Sequence, residues 1–237
     1  MGLGDHIICN AIVRHLAKDD IVIVPVKRYY ETSVKFMYSD DPKIKVAPFA
    51  DDAETDRYCR FMERQGLKVI WNGMVGSAKK VWEKSVRQWD QKFYEQMNLD
   101  FNLRWGNFKL PKNSCDWKKL FHLKFPGVVP EDFIFVHHTS SMGVKKIQED
   151  LLRSKYKFIP DITYTDNIFD YVGLLENARE IHCINSSFLC LADSLHLKAE
   201  LHFHASAQDL DFNSPTLRSP WIIHPLDKYI TLLNKRD

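Results

Sequence analysis

Apolar residues recur along this chain in two patterns, short continuous runs and stripes at helical spacing, and the two alternate. Ile8, Ala11, Ile12 and Leu16 form a helical stripe, with His6, Asn10, Arg14 and Lys18 on another face at intervals of four. Residues 20–26 follow as a continuous apolar run, the pattern of a strand buried on both faces. The spacing then predicts a helix over 29–39, ending before Asp40-Asp41-Pro42, a strand over 44–49, and a helix over 56–65 closed by Gly66 as its C′ residue. Residues 68–71 read as a third strand. Ser77 caps a long helix through Met97, whose Trp82, Val86, Trp89, Phe93 and Met97 share one face. The order α-β-α-β-α-β-α implies a parallel sheet with helices on both faces.

The pattern lapses over 107–115, where Pro111 and Asn113 suggest a linker, and then resumes. A short helix over 117–123 and a Phe125-Pro126-Gly127 turn lead to the buried run 133–138. A small-residue loop, Thr139-Ser140-Ser141-Met142-Gly143, comes next. Strands are expected at 157–160, 180–184, 199–204 and 221–224, and helices at 167–178, 188–195 and 227–234. The expected fold class is therefore α/β. It consists of two Rossmann-like parallel-sheet domains, 1–112 and 113–237, facing a cleft. The first two glycines read as a tight loop opening a helix, and such a loop normally follows a strand. The N-terminal sheet is accordingly expected to lack its first strand.

Composition narrows the function classes. The 237 residues are 45% hydrophobic and 27% charged with a net charge of +2, ordinary for a globular protein with a real core. There is no basic block that would argue for nucleic acid, no run of the length a membrane span needs, and no signal-peptide pattern at Met1. The expectation is a cytoplasmic protein with at most peripheral membrane contact. Five scattered cysteines without a CxxC pair read as reduced core thiols. Ten histidines without HxxxH or HExxH spacing give no metal signature, and no cofactor is expected.

Three stretches could carry chemistry. Gly2-Leu3-Gly4-Asp5-His6 lacks the GxGxxG dinucleotide fingerprint but places Asp5 at a helix start, where a cap accepting a backbone N–H is the plainer reading. Asn185-Ser186-Ser187, between a strand and a helix, suits a phosphate site through free N–H groups and the helix dipole, and suits ordinary capping equally well. Ser140, Ser141, Gly143 and Lys145-Lys146 follow a strand end, where hydroxyls and a lysine would neutralise a diphosphate; a solvated loop is the alternative. His137 and His138, adjacent on a strand, face opposite sides. No GxSxG elbow is present, and Cys190 lies inside an apolar helix as a packed thiol would.

Taken together, these stretches resemble the heptosyltransferase-like glycosyltransferases, related to the ADP-heptose:LPS heptosyltransferases and of GT-B architecture. Gly2-Leu3-Gly4-Asp5-His6-Ile7-Ile8 is similar to that family's GxGD start. The segment from Ile184 through Asn185, Ser186 and Ser187 to Leu195 is similar to its donor-binding segment, with Cys190 where the family usually has a histidine. Gln96 to Trp105, with Phe101, Arg104 and Trp105, looks like a segment of uncharacterised bacterial and viral relatives. The resemblance implies inverting, metal-independent transfer of a sugar from a nucleotide-diphosphate donor to the hydroxyl of a glycan or glycolipid acceptor, as in polysaccharide biosynthesis. Asp5 maps onto the catalytic base, and Gly4, His6 and Asn10 onto the acceptor side. Asn185, Ser186, Ser187, Ser140 and Lys145 map onto the donor side. Two alternatives stay open: a sugar-nucleotide epimerase of the same architecture, and a non-catalytic binding module.

Overall fold

A computed structural model describes residues 1–73, 89–140, 143–206, 209 and 215–226. Most of the expected 77–97 helix and all of the expected 227–234 helix lie outside these residues, as does Ser141. The described chain is α/β with parallel sheets, and it divides into two compact units, Met1–Asn113 and Ser114–Asp237.

In the first unit, α1 (Leu3–Ile8) and α2 (Asn10–Leu16) are separated at Cys9 rather than continuous. The Ile8 carbonyl, which a continuous helix would use internally, accepts the buried Tyr94 hydroxyl at 2.7 Å. Strand β1 (Val22–Lys27) leads through a 3₁₀ turn to α3 (Glu31–Met37), and β2 (Ile44–Phe49) pairs with β1 in parallel, Val22 opposite Ile44 and Lys27 opposite Phe49. Asp51 caps α4 (Asp52–Arg64) by accepting the Glu54 N–H at 2.7 Å. Gly66 closes it at φ +82°, as the sequence predicts, with the Gly66 and Leu67 N–H groups donating back to Glu63 and Met62. Helices α5 (Trp89–Gln96) and α6 (Leu103–Gly106) complete the described part of the unit.

The expected third strand at 68–71 is corrected: these residues enter no ladder. Four residues beginning at a lysine offer little inward-facing surface, and Ile70 stays exposed. Trp71 instead folds back on α4, its indole N–H donating to Glu63 at 2.7 Å beneath the Arg60 guanidinium. Prolines at 25 and 48, each without an N–H to share, suit strands at the edge of a sheet.

The second unit is built on one parallel sheet. Its strands are β3 (Phe133–His137), β6 (Tyr156–Phe158), β7 (Glu180–Ile184), β8 (Glu200–Ala205) and β9 (Ile222–Pro225), in spatial order β6-β3-β7-β8-β9. The loop expected over 139–143 is corrected to a small antiparallel hairpin, β4 (Thr139–Ser140) with β5 (Gly143–Val144), and Gly143 takes φ +107°. Alternate β3 residues sort to the two faces of the sheet. Phe133 and Phe135 meet Phe121 of α7 (Trp117–Lys124), Tyr171, and Phe188 of α9 (Ser187–Ser194). Ile134 and Val136 pack on the opposite side with Ile147, Leu152 and Ile184. The 167–178 segment starts as a 3₁₀ turn capped by Asn167 and continues as α8 (Val172–Asn177). None of the five cysteines is in a disulfide, and three of them are buried.

Candidate functional site

Numbered within its own sheet, the second unit has strand order 2-1-3-4-5. The chain leaves β3 to one side and returns to the other at β7, so the β3/β7 boundary is a topological switch point. In open α/β sheets, ligands bind outside the carboxyl ends of the strands at such a point. His137 ends β3 there, and Asn185-Ser186-Ser187 follow β7. The Ser186 hydroxyl does not cap α9; it lies 3.0 Å from His137 Nδ1, and His137 Nε2 lies 3.1 Å from the Thr139 hydroxyl. The first turn of α9, opened by Ser187, therefore keeps its N–H groups free of a Ser186 cap, which favours an anion at that end. Burial, with a smaller push from His138, lowers the His137 pKa to about 3, so its ring is neutral at physiological pH.

The neighbouring carboxyl end of β8 brings in two residues the sequence reading did not single out. Asp209 Oδ2 accepts from Lys145 Nζ at 2.7 Å, from the Ser206 hydroxyl at 2.7 Å and from the Ser206 N–H at 2.8 Å. Asp209 Oδ1 accepts from Asn185 Nδ2 at 3.1 Å. Burial would raise the Asp209 pKa, but Lys145, Ser206 and Asn185 together hold it below the usual carboxylate value. Lys145 and Asn185 are thus brought together through one carboxylate, and the lysine's charge is balanced by it. Ser140 is placed differently: its hydroxyl reaches the Gly143 carbonyl at 3.4 Å across the hairpin tip.

Beside the hairpin lies a recess of about 240 Å³. Its floor is Val136, Ile147, Leu152 and Ile159, and Lys145, Lys146, Lys157 and His138 stand around it with Glu149. Lys157 pairs there with Glu149 at 2.6 Å and Lys145 with Asp209 at 2.7 Å, so two of the three rim lysines are charge-balanced above an apolar floor of a size for a planar ring.

In the first unit the expected glycine loop is corrected to helix. Gly2 is the N-cap of α1, Gly4 lies within the helix, and Asp5 at its third position accepts the Gly2 N–H at 2.7 Å. This one-way half of a capping box, the third-position carboxylate holding the N-cap N–H, starts the helix directly at Leu3. Asp5 is half-buried, and desolvation raises its pKa despite the Gly2 hydrogen bond and the charges of the N-terminus and Lys27. Lys27 ends β1 and pairs with Asp52 at the start of α4 at 2.7 Å, and the Met1 ammonium meets the same carboxylate at 3.0 Å. Asp5 therefore belongs to a charged cluster at the carboxyl end of the first sheet.

The polar face expected from His6 and Asn10 is corrected as well, since both residues are buried. Asn10 is clamped by the Lys109 backbone, donating to its carbonyl at 3.2 Å and accepting its N–H at 3.1 Å. That engagement leaves Asn10 a structural role. Burial, then the N-terminal charge and Lys27, lower the His6 pKa to about 3. Arg104, from the segment singled out at 96–105, is buried against Asp90, with Trp105 under its guanidinium.

No protein-family profile and no curated protein matches the sequence. Among solved structures, the fold is similar to the glycosyl transferase family 9 crystal structure from Veillonella parvula DSM 2008, with a TM-score of 0.55 and 10% identity over 99% of this chain and 87% of that one. At that identity the likeness is one of fold, and it spans both units. No described helix is long and apolar enough to cross a membrane.

Proposed function

We propose that this protein is a glycosyltransferase that moves a sugar from a nucleotide-diphosphate donor to an acceptor hydroxyl, without a catalytic metal and with inversion. The observation that carries the reading is the coincidence of a fold like that of a glycosyl transferase with two carboxyl-end clusters, a desolvated carboxylate in one unit and an uncapped helix start beside a lysine in the other. The donor diphosphate is assigned to the α9 N-terminus with Asn185, Ser186, Ser187 and Lys145, and the nucleoside to the recess above Val136 and Ile147. Ser140 stays on this side as a rim residue. Asp5 is assigned as the base: a carboxylate whose pKa is raised by burial takes the acceptor proton more readily as the hydroxyl attacks the anomeric carbon. His6, a buried neutral ring, and Gly4, which adds no side chain at its own position in the first turn of α1, are assigned to the acceptor side with it. Cysteines outside any disulfide fit a reducing, cytoplasmic setting.

One observation favours a second reading, a nucleotide-binding module without transfer: Asp209 already neutralises Lys145. The two separate in one experiment. A panel of nucleotide-diphosphate sugars is incubated with the protein, with and without glycan acceptors, and release of nucleoside diphosphate is followed. Acceptor-dependent release supports transfer. An isomerised sugar without acceptor indicates an epimerase, and binding without turnover indicates the module.

A further inference from the structure

His137 joins two hydroxyls from different elements at the switch point. Its Nδ1 lies 3.0 Å from Ser186 Oγ, just beyond β7, and its Nε2 lies 3.1 Å from Thr139 Oγ1, on the first residue of β4. The register that sets His137 opposite Cys183 carries the ring to the turn that follows β7. There the Phe188 ring packs against the imidazole, 4.5 Å away between centroids, and limits its rotation. Ser186 is the N-cap residue of α9, in extended backbone, yet its hydroxyl makes no cap bond. The imidazole, and not the helix, therefore decides where this hydroxyl points.

A neutral imidazole carries a single ring proton, so the chain Thr139–His137–Ser186 has two polarities. In the first, Ser186 donates to Nδ1 and Nε2–H donates to Thr139, and Ser186 turns only lone pairs outward. In the second, Thr139 donates to Nε2 and Nδ1–H donates to Ser186, and the Ser186 hydrogen is left for a further acceptor. Heavy-atom positions are the same in both. The two differ in which ring nitrogen holds the proton, exchanged through solvent, and in the rotation of both hydroxyls. The net charge does not change.

We propose that His137 is a positioning residue for the donor: with Nδ1 protonated, it holds Ser186 by its oxygen and makes that hydroxyl a donor to a phosphate oxygen. This rests on the assignment of the donor diphosphate to the start of α9. A phosphate oxygen without a proton can only accept, so it selects the second polarity and is repelled by the first. His137 itself touches no substrate and acts through Ser186. The ligand class for which the chain is set is a deprotonated phosphoryl group.

The test uses the full chain labelled with nitrogen-15 at histidine, with inorganic pyrophosphate as the probe and a panel of nucleoside diphosphates beside it. Long-range proton–nitrogen spectra report which ring nitrogen holds the proton, and the His137 signals are those lost in His137→Asn. In the pyrophosphate complex His137 should be protonated at Nδ1 and unprotonated at Nε2. By isothermal titration, Ser186→Ala and His137→Leu should each weaken pyrophosphate binding about tenfold, as expected for a hydrogen bond to a charged group. The double variant should lose no more than either single one, because both changes remove the same contact. His137→Asn, whose amide nitrogen takes the place of Nδ1, should stay within about threefold of the parent. A purely structural role for His137 would give additive losses and no rescue by Asn.

A ring protonated at Nε2 in the complex overturns the proposal without any substitution, so the test stays decisive if a variant fails to fold by circular dichroism. Additive losses, or parent-like affinity in folded His137→Leu, overturn it while the donor site stands. A parent chain that binds neither pyrophosphate nor any of the nucleoside diphosphates overturns the donor assignment together with this inference.

Discussion

Replacing Asp5 with Asn separates a catalytic carboxylate from a helix-starting one, because the two roles carry different magnitudes. The Asp5 carboxylate accepts the Gly2 N–H at 2.7 Å, and an amide oxygen of the same size accepts it too. The structural loss is therefore at most that of a weakened cap, about 1 kcal/mol. Desolvation, the leading influence on this carboxyl, works against the charged form, so a neutral amide recovers part of that loss. A change of about 1 kcal/mol alters the folding equilibrium roughly fivefold, and a domain stable by about 5–15 kcal/mol remains almost wholly folded. Losing a general base costs about 10²–10⁴ in rate, or roughly 3–5 kcal/mol of barrier. Asp5→Asn should thus melt within a few degrees of the parent while acceptor-dependent release of nucleoside diphosphate falls by about 10² or more. Turnover close to the parent's would refute the assignment of Asp5. So would a loss of turnover that follows the loss of folded protein in the same melt.

Lys145→Met should raise the KM for the donor about tenfold or more with a smaller change in kcat, since a charge-assisted contact to phosphate is worth about 1.5–3 kcal/mol; initial rates against donor concentration check this. His6 stays neutral in the folded protein down to about pH 3, whereas in the unfolded chain it takes up a proton below about pH 6.5. The unfolded state then binds more protons, so the stability present above about pH 6.5 is lost as the pH falls towards 3, by about 1.4 kcal/mol per pH unit. Urea unfolding at several pH values should show that slope, reduced by about this amount in His6→Leu. Asp90→Ala removes the carboxylate paired with the buried Arg104 guanidinium and should cost about 3–5 kcal/mol by urea unfolding, whereas Asp90→Leu combined with Arg104→Met should recover much of it.

The strands at 44–49 and 180–184 could be read from the sequence to the residue, because each is a short segment carrying β-branched residues beside turn-forming residues, Asp40-Asp41-Pro42 before the first and Asn185-Ser186-Ser187 after the second. The close of α4 at Gly66 was equally legible, since only a residue tolerant of positive φ fits there. The pattern failed where an element needs a neighbour. Residues 68–71 have a strand's composition but pair with no described strand, and the 139–144 hairpin is too short to show alternation. Asn10 reads as a surface polar residue until the Lys109 backbone, 99 positions away, takes both ends of its amide.

By itself, the sequence determined the fold class, because alternating apolar runs and stripes admit few arrangements other than helices packed on a parallel sheet. It also placed Asp5, Asn185, Ser186 and Lys145 at element ends, where ligands bind. The tertiary structure decided what each of those groups meets. Only the strand order sets His137 beside Ser186 and brings Asp209 between Lys145 and Asn185. His137 and Ser186 are 49 positions apart in the chain, and what sets them side by side is the register of β3 on β7, which is fixed by hydrogen bonds between strands.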